Sequence, residues 1–415
     1  MGVKPEELEQ VRPRLAAFAG EMLGGLARAD QRAKGELYLR GLMLDGKRKS
    51  MQPMAERLGV DHQGLQQFVS SSTWAVGPVR ERLARTAVAV IAPDAWVVDD
   101  TGFPKDGAAS PGVARQYSGT LGKVANCQIG VWVQAVTDAA SCPLDWRLFL
   151  PQRWDDSCAT DEPAAAAIRA RRARAGMPDS VRHREKWRLA LDMLDELAGW
   201  RLAPPVVVGD AGYGDAAGFR DGIAERGWTY VVQVTGDQTA HPAEVTPQVK
   251  PYSGRGRRSL PRYRTTPVSL RAQVLAAGRD AAVKLTWRQG SRGPLTSHFV
   301  ALRVRPAGRR ATARRAEDGS LPAVWLLAQW PPAEPEPTDY WLSNLPADTP
   351  LAELVRLAKI RWRIEHDYRE LKTGLGLDHF EGRTFTGWHR HVTLVTAASL
   401  FLTLLRADPK VAAPA

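Results

Sequence analysis

Long apolar runs are missing from this 415-residue chain. The longest, such as residues 393–405, fall short of the roughly 20 that a bilayer span needs, and the opening Met-Gly-Val-Lys-Pro-Glu-Glu lacks the apolar core of a signal peptide. A soluble intracellular protein with no membrane partner is expected. Cysteine is scarce too: Cys127, Cys142 and Cys158 are an odd number without CxxC spacing, which excludes a disulfide framework or zinc knuckle and suits small buried hydrophobes. No internal repeat is present, and no glycine-rich phosphate loop supports a sugar- or cofactor-binding α/β enzyme. What remains is 44% hydrophobic and 25% charged residues, a globular composition that excludes disordered and fibrous classes and, at this length, fits two to four domains.

Acid is the scarce sign of charge. The formal net charge is +12, which points toward a polyanionic partner. Its distribution says more: residues 245–315 hold 17 Lys/Arg against a single acid, Asp280, so this one stretch exceeds the net charge of the whole chain. A solvated face normally mixes signs, so the reading favoured here is contact with a phosphate backbone.

The first 92 residues read as helices. Residues 7–27 and 33–44 are apolar at helical spacing, Gly46-Lys-Arg-Lys-Ser50 is a basic turn, and 51–58, Gly59-Val-Asp61 and 62–69 have a helix, turn, helix layout. That layout would let Gln63, Gln66 and Gln67 reach base edges, helped by Lys47, Arg48 and Lys49. A plain αα-hairpin is the competing reading. From residue 93 the pattern turns to strands, at 95–100, 125–137 and 143–149, then to a helix at 184–202, a short apolar run Val206-Val-Val-Gly-Asp210, a helix at 219–226 and a strand at 229–234. The basic stretch, within 237–337, reads as antiparallel β. It ends at the linker Pro331-Pro-Ala-Glu-Pro-Glu-Pro337, and 338–406 carries a strand, a long helix at 350–375 and an apolar helix at 388–405. Residues 407–415 are expected to be a disordered tail. The chain therefore reads as an α/β protein: a helical domain (1–92), a mixed-sheet core in two parts (93–236 and 338–406), and a β-rich insertion between them.

Carboxylates stand where strands end. Asp99 or Asp100 closes the first strand, Asp210 closes the Val206–Val208 run, and Glu365 lies on the late helix, where the 100° step would put Arg361, Glu365, Tyr368 and Lys372 on one face. Two or three converging carboxylates are what metal-dependent phosphoryl transfer needs, because hard divalent cations take oxygen ligands. Each acid taken singly has a plainer reading, as a loop cap or as a rung of an i,i+4 ion-pair ladder. His379, His389 and His391 lack metal-ligand spacing and receive no role.

Taken in order, Asp99-Asp-Thr-Gly-Phe-Pro-Lys105, Gln116-Tyr-Ser-Gly119, Gly122-Lys123, Asn126-Cys-Gln128, Gly209-Asp-Ala-Gly-Tyr-Gly-Asp215 and Arg361-Trp-Arg-Ile-Glu365 with Lys372 resemble the DDE-type transposases of bacterial insertion sequences. The nearest branch is the DDE superfamily endonucleases with a β-rich insertion before the catalytic Glu. The resemblance implies a ribonuclease-H-like core flanked by helices, with Asp99, Asp210 and Glu365 as catalytic acids and ligands of two Mg²⁺ ions that Mn²⁺ can replace. Asp100 remains an alternative to Asp99, which motif register favours. The related signature Tyr-x₂-Arg-x₃-Glu-x₆-Lys fits Arg361, Glu365 and Lys372 but has Ala358 where its Tyr would stand, so that role is either absent or moved to Tyr368. Arg361, Lys372, Lys105 and Lys123 would contact DNA phosphates, and Trp287 could stack on a base. The implied partners are double-stranded DNA, as terminal inverted repeats and target, and a second copy of the chain in the DNA complex. The implied setting is the bacterial cytoplasm at the nucleoid. Two other readings share the scaffold: a nuclease that cuts without joining, and a non-catalytic DNA-binding protein.

Overall fold

The computed structural model describes residues 5–119, 121–252, 254, 259–291, 293–308 and 315–408. The chain forms two compact units, Met1–Pro93 with Asp99–Ala203 and Trp362–Ala415, and Asp94–Val98 with Pro204–Arg361. Strand β1 (Ala95–Pro104) passes from the second into the first.

In the first unit β2 (Ala114–Ser118) and β4 (Ser141–Leu148) pair antiparallel with successive lengths of β3 (Lys123–Val136), which neighbours β1. Every β3 residue from Cys127 to Val136 is buried, so the strand reads as a continuous apolar run rather than an alternating one, as a sheet covered on both faces requires. The helices Val76–Ile91, Lys186–Gly199 and Phe385–Ala407 supply cover. The last of these is buried around most of its circumference, and Thr384 caps its start by accepting from the Gly387 N–H.

In the second unit the order is β1, β5 (Val207–Gly209), β6 (Tyr230–Val234), β12 (Asp339–Ser343), β11 (Val324–Gln329), β10 (Gly293–Pro306), β7 (Thr239–Pro242) and β8 (Val268–Ser269), with β9 (Val283–Gly290) also on β10. Strands β1, β5 and β6 are parallel and the others antiparallel. The core order β4-β3-β1-β5-β6 is ribonuclease-H-like, as expected. The insertion is antiparallel as expected, and through β12 on β6 it continues the sheet of the second unit.

The structure corrects several boundaries. Strand β1 runs on to Pro104, so Asp99 and Asp100 stand within it rather than at its end. The helix read over 350–375 is two helices, Leu351–Lys359 and Trp362–Arg369, followed by a π-type turn Glu370–Gly374. The first tightens at its end, where the Ile360 N–H bonds the Leu357 carbonyl three residues back. Helices Glu162–Arg174 and Leu270–Ala277 went unread, the latter inside the supposedly all-β insertion. Cys127 and Cys142 are buried, but Cys158 is exposed on a short turn. Ala407 ends a helix, and residues 409–415 of the supposed tail lie outside the described residues. Among the described residues no helix is long and apolar enough to cross a membrane.

Candidate active site

The parallel ladder of the second unit ends just before the first two candidate acids. Trp96 pairs with Val207, Val97 with Val208 and Val98 with Gly209, and in each strand the next residue is an acid, Asp99 after Val98 and Asp210 after Gly209. The carboxyl ends of parallel strands are where open α/β sheets bind their ligands. Behind Asp210 the chain turns at once: the N–H groups of Tyr213 and Gly214 bond the Asp210 carbonyl at 3.1 and 2.7 Å. This turn needs glycine, because a Cβ on Gly214 would stand 1.9 Å from the Gln233 carbonyl oxygen.

Neighbouring residues on a strand face opposite ways, and the first unit distinguishes Asp99 from Asp100. The Lys186 ammonium holds the Asp100 carboxylate at 2.9 Å, so the helix Lys186–Gly199 claims that face. Asp99 is 8% exposed on the other face.

Glu365 stands on the exposed side of the helix Trp362–Arg369, while Ile364, Asp367 and Tyr368 are buried. Asp367 fastens the helix to β4. It accepts from the Ser141 hydroxyl, from Arg363 Nε at 3.0 Å and from His366 at 3.1 Å. Tyr368 meets Trp132 of β3 edge-on at 6.2 Å. The π-type turn that follows carries Lys372, and such turns recur at functional sites.

The four expected phosphate contacts differ in placement. Lys372 is buried, donates to the Gly102 carbonyl of β1 at 2.8 Å and lies over the Phe103 ring, and burial pushes its ammonium down to about 8. Lys105 donates to the Phe380 carbonyl at 2.8 Å and is likewise lowered by burial. Lys123 is exposed at the start of β3, and Arg361 is half-buried at the end of the second unit. The helix-turn-helix layout is present: Gly59 ends the helix Met51–Leu58 at φ +67°, Asp61 caps the helix His62–Ser70, and Gln63, Gln66 and Gln67 are exposed while Leu65, Phe68 and Val69 are buried. Lys47 and Arg48 are exposed, but Lys49 is buried with its ammonium on the Leu44 carbonyl.

The basic stretch divides the same way. Arg279, Arg303 and Arg305 donate to main-chain carbonyls and Arg271 pairs with Asp237, whereas Lys250, Arg262, Arg264 and Lys284 are exposed. Arg255, Arg257, Arg258, Arg292, Arg309, Arg310 and Arg314 lie outside the described residues. Trp287 is half-buried, edge-on to Phe299 and 5.6 Å below the Lys359 ammonium.

Three carboxylates are a hard-oxygen donor set of the kind Mg²⁺ and Mn²⁺ take, so the chemistry of the residues fits such ions. Among the described residues no three His, Cys, Asp or Glu side chains are gathered as a metal-holding group.

A ribonuclease-H-like sheet with acids following paired positions of neighbouring parallel strands defines a class of nucleic-acid-processing proteins. Residues 21–294, which include Asp99 and Asp210 but not Glu365, match the family of DDE superfamily endonucleases, and the chain belongs to that family. It is also similar to a protein of Microchaete diplosiphon described as a probable transposase for insertion sequence element IS701, 26% identical over 212 residues. That match covers 50% of this chain and 49% of the relative, so the chain spans about half the length of the curated relative it matches.

Proposed function

We propose that the protein is a DNA transposase that cleaves phosphodiester bonds at the ends of an insertion sequence and joins them to target DNA, with Asp99, Asp210 and Glu365 as its catalytic acids. The observation that carries this reading is the β1–β5 register, whose last pair, Val98 with Gly209, is followed in each strand's sequence by an acid, Asp99 and Asp210, in a chain of this family. The three carboxylates would hold two divalent ions, Mg²⁺ or Mn²⁺, which when bound activate a water or a 3′-hydroxyl and stabilise the leaving oxygen of an in-line displacement.

The chain's own residues do the rest. Lys186 holds Asp100 and leaves Asp99 as the acid on the opposite face of β1. Lys372, on the carbonyl of Gly102, fixes the same strand three residues beyond Asp99. Asp367 and Tyr368 hold the helix that presents Glu365. Lys123 and Arg361, with the exposed cations of the insertion, neutralise DNA phosphates, and Gln63, Gln66 and Gln67 read base edges. The protein would work on terminal repeats and target DNA in the cytoplasm, at the nucleoid, as a dimer when the two ends are paired.

The test is cleavage of labelled duplex carrying the ends of the flanking element, in Mg²⁺ against EDTA. Asp99→Asn, Asp210→Asn and Glu365→Gln are each expected to lower metal-dependent nicking by at least about a hundredfold, while Asp100→Asn keeps most of it. Cutting that survives EDTA, or that the Asp210 and Glu365 variants perform normally, overturns the assignment. Nicking without joined product in any condition would leave a nuclease rather than a transposase.

A further inference from the structure

The first unit carries a second basic stretch, which the longer one of the insertion overshadows in the sequence: residues 169–188 hold eight Lys/Arg against two acids. Most of these cations have partners. Arg169 pairs with Glu162, Arg182 with Asp156, Arg184 with Asp192, Lys186 with Asp100 and Arg188 with Glu185. Arg172, 3% exposed, is an internal strut that donates to the carbonyls of Trp154, Pro178 and Val181.

Two arginines remain, and they meet a third from elsewhere. Arg171 and Arg174 lie at i and i+3 on the helix Glu162–Arg174, in a last turn that holds three arginines and no acid. Arg171 sets its guanidinium 4.2 Å over the Trp154 ring and donates to the carbonyl of Arg153, on the turn Gln152–Trp154. Arg153 and Arg174 are exposed. Burial lowers the Arg171 guanidinium first, and the charges of Arg153 and Arg174 lower it further. Its Nε–H is buried with no acceptor among the described residues. Asp155 and Asp156, which follow Arg153 in the sequence, pair with Arg182.

Arginines in a helix's last turn complement its dipole, which accounts for Arg171 and Arg174 but not for Arg153, on a separate turn. Nor does it explain three like charges held together with no carboxylate among them in the described structure. A planar guanidinium pre-set by stacking, with exposed guanidiniums beside it, is suited to phosphate oxygens, which it can take two at a time.

We propose that Arg153, Arg171 and Arg174 form a duplex-DNA backbone clamp on the first unit, separate from the basic insertion of the second. The inference rests on the reading that this protein acts on DNA and adds a contact that reads no sequence. It therefore serves element ends and unrelated DNA alike.

The experiment uses the full chain and compares wild type with the double variant Arg153→Gln/Arg174→Gln, which leaves Arg171 on Trp154. Binding to an element-end duplex and to a random-sequence duplex is followed by fluorescence anisotropy from 50 to 200 mM salt. Removing one arginine–phosphate pair should flatten the slope of log K against log salt by about 0.9, so a drop of about 2 on both duplexes, at unchanged Tm, is expected. Arg169→Gln, which removes a cation already paired with Glu162, should leave the slope in place. An unchanged slope in the double variant, or a change confined to the element-end duplex, overturns the clamp while wild-type binding keeps the DNA reading. A wild type that binds neither duplex overturns both.

Discussion

Alanine at Asp145 is expected to destabilise the first unit by about 3–5 kcal/mol, a large share of the 5–15 kcal/mol that holds a typical domain together. Asp145 on β4 has no exposed surface, and its Oδ1 accepts from Arg80 at 3.0 Å, from Arg147 at 2.7 Å and from the Trp146 N–H at 2.7 Å. Glu196 closes the ring by pairing with the same two arginines. Two acids thus balance two cations, and Arg80 also lies over Trp146 and Trp200. Removing Asp145 leaves both guanidiniums beside one carboxylate, and at the fully buried position of Asp145 hydration replaces little of the missing attraction. Glu196→Gln removes the partner that is 30% exposed, so water can substitute and a smaller loss is expected. Urea unfolding of the two variants measures both, and a loss under about 1 kcal/mol for Asp145→Ala would contradict the account. The ring matters for function because it joins the helix Val76–Ile91, β4 and the helix Lys186–Gly199, whose first residue holds Asp100.

The elements that frame the acids were legible because their signals are local. Val206-Val-Val followed by Gly-Asp can only be a short buried strand that ends at an acid, and Trp96-Val-Val before Asp99 repeats the pattern. Family resemblance then joined two stretches that lie more than a hundred residues apart, which periodicity cannot do. The place of Glu365 on a helix was legible, but its surroundings were not. The 100° construction assumed one uninterrupted helix, whereas the chain tightens at Ile360 and widens from Glu370, so Lys372 does not follow the angle assigned to it.

Charge was read least well, for a physical reason. Counting Lys and Arg gives the field of a segment but not the partner of each side chain. Lys49, Lys372, Arg172, Arg303 and Arg305 all donate to main-chain carbonyls. Arg153 stands 18 residues before Arg171, and only the fold brings the two together. A stretch with 17 cations is conspicuous in a sequence, whereas three arginines gathered from two elements are not.

Lowering the pH from 7 to 5 should remove about 4 kcal/mol from the stability of the first unit, through two histidines of the helix Phe385–Ala407. His391 is 1% exposed: its Nε2–H donates to the Gly376 carbonyl at 2.9 Å, and its Nδ1 accepts from the Tyr38 hydroxyl at 2.9 Å, the pattern of a neutral ring. Burial pushes it down to about 4, and Lys105 and His379 press the same way. His389 bonds the Phe385 carbonyl, and burial, with the charges of Arg147 and Arg80, pushes it down to about 3. In the unfolded chain both titrate near 6.5, so between that value and 4 the unfolded state binds more protons than the folded one. The stability these rings confer is therefore intact above pH 6.5 and lost as the pH falls, by about 2 kcal/mol each at pH 5. Urea midpoints at pH 8, 7, 6 and 5 should be flat over the first step and fall steeply over the last two. His389→Gln/His391→Gln should begin less stable at pH 7, because the Tyr38 hydroxyl loses its acceptor, yet decline less toward pH 5. A wild type equally stable at pH 7 and 5, or a double variant as acid-sensitive as the wild type, would show that these rings are already protonated inside the fold or are not what acid attacks.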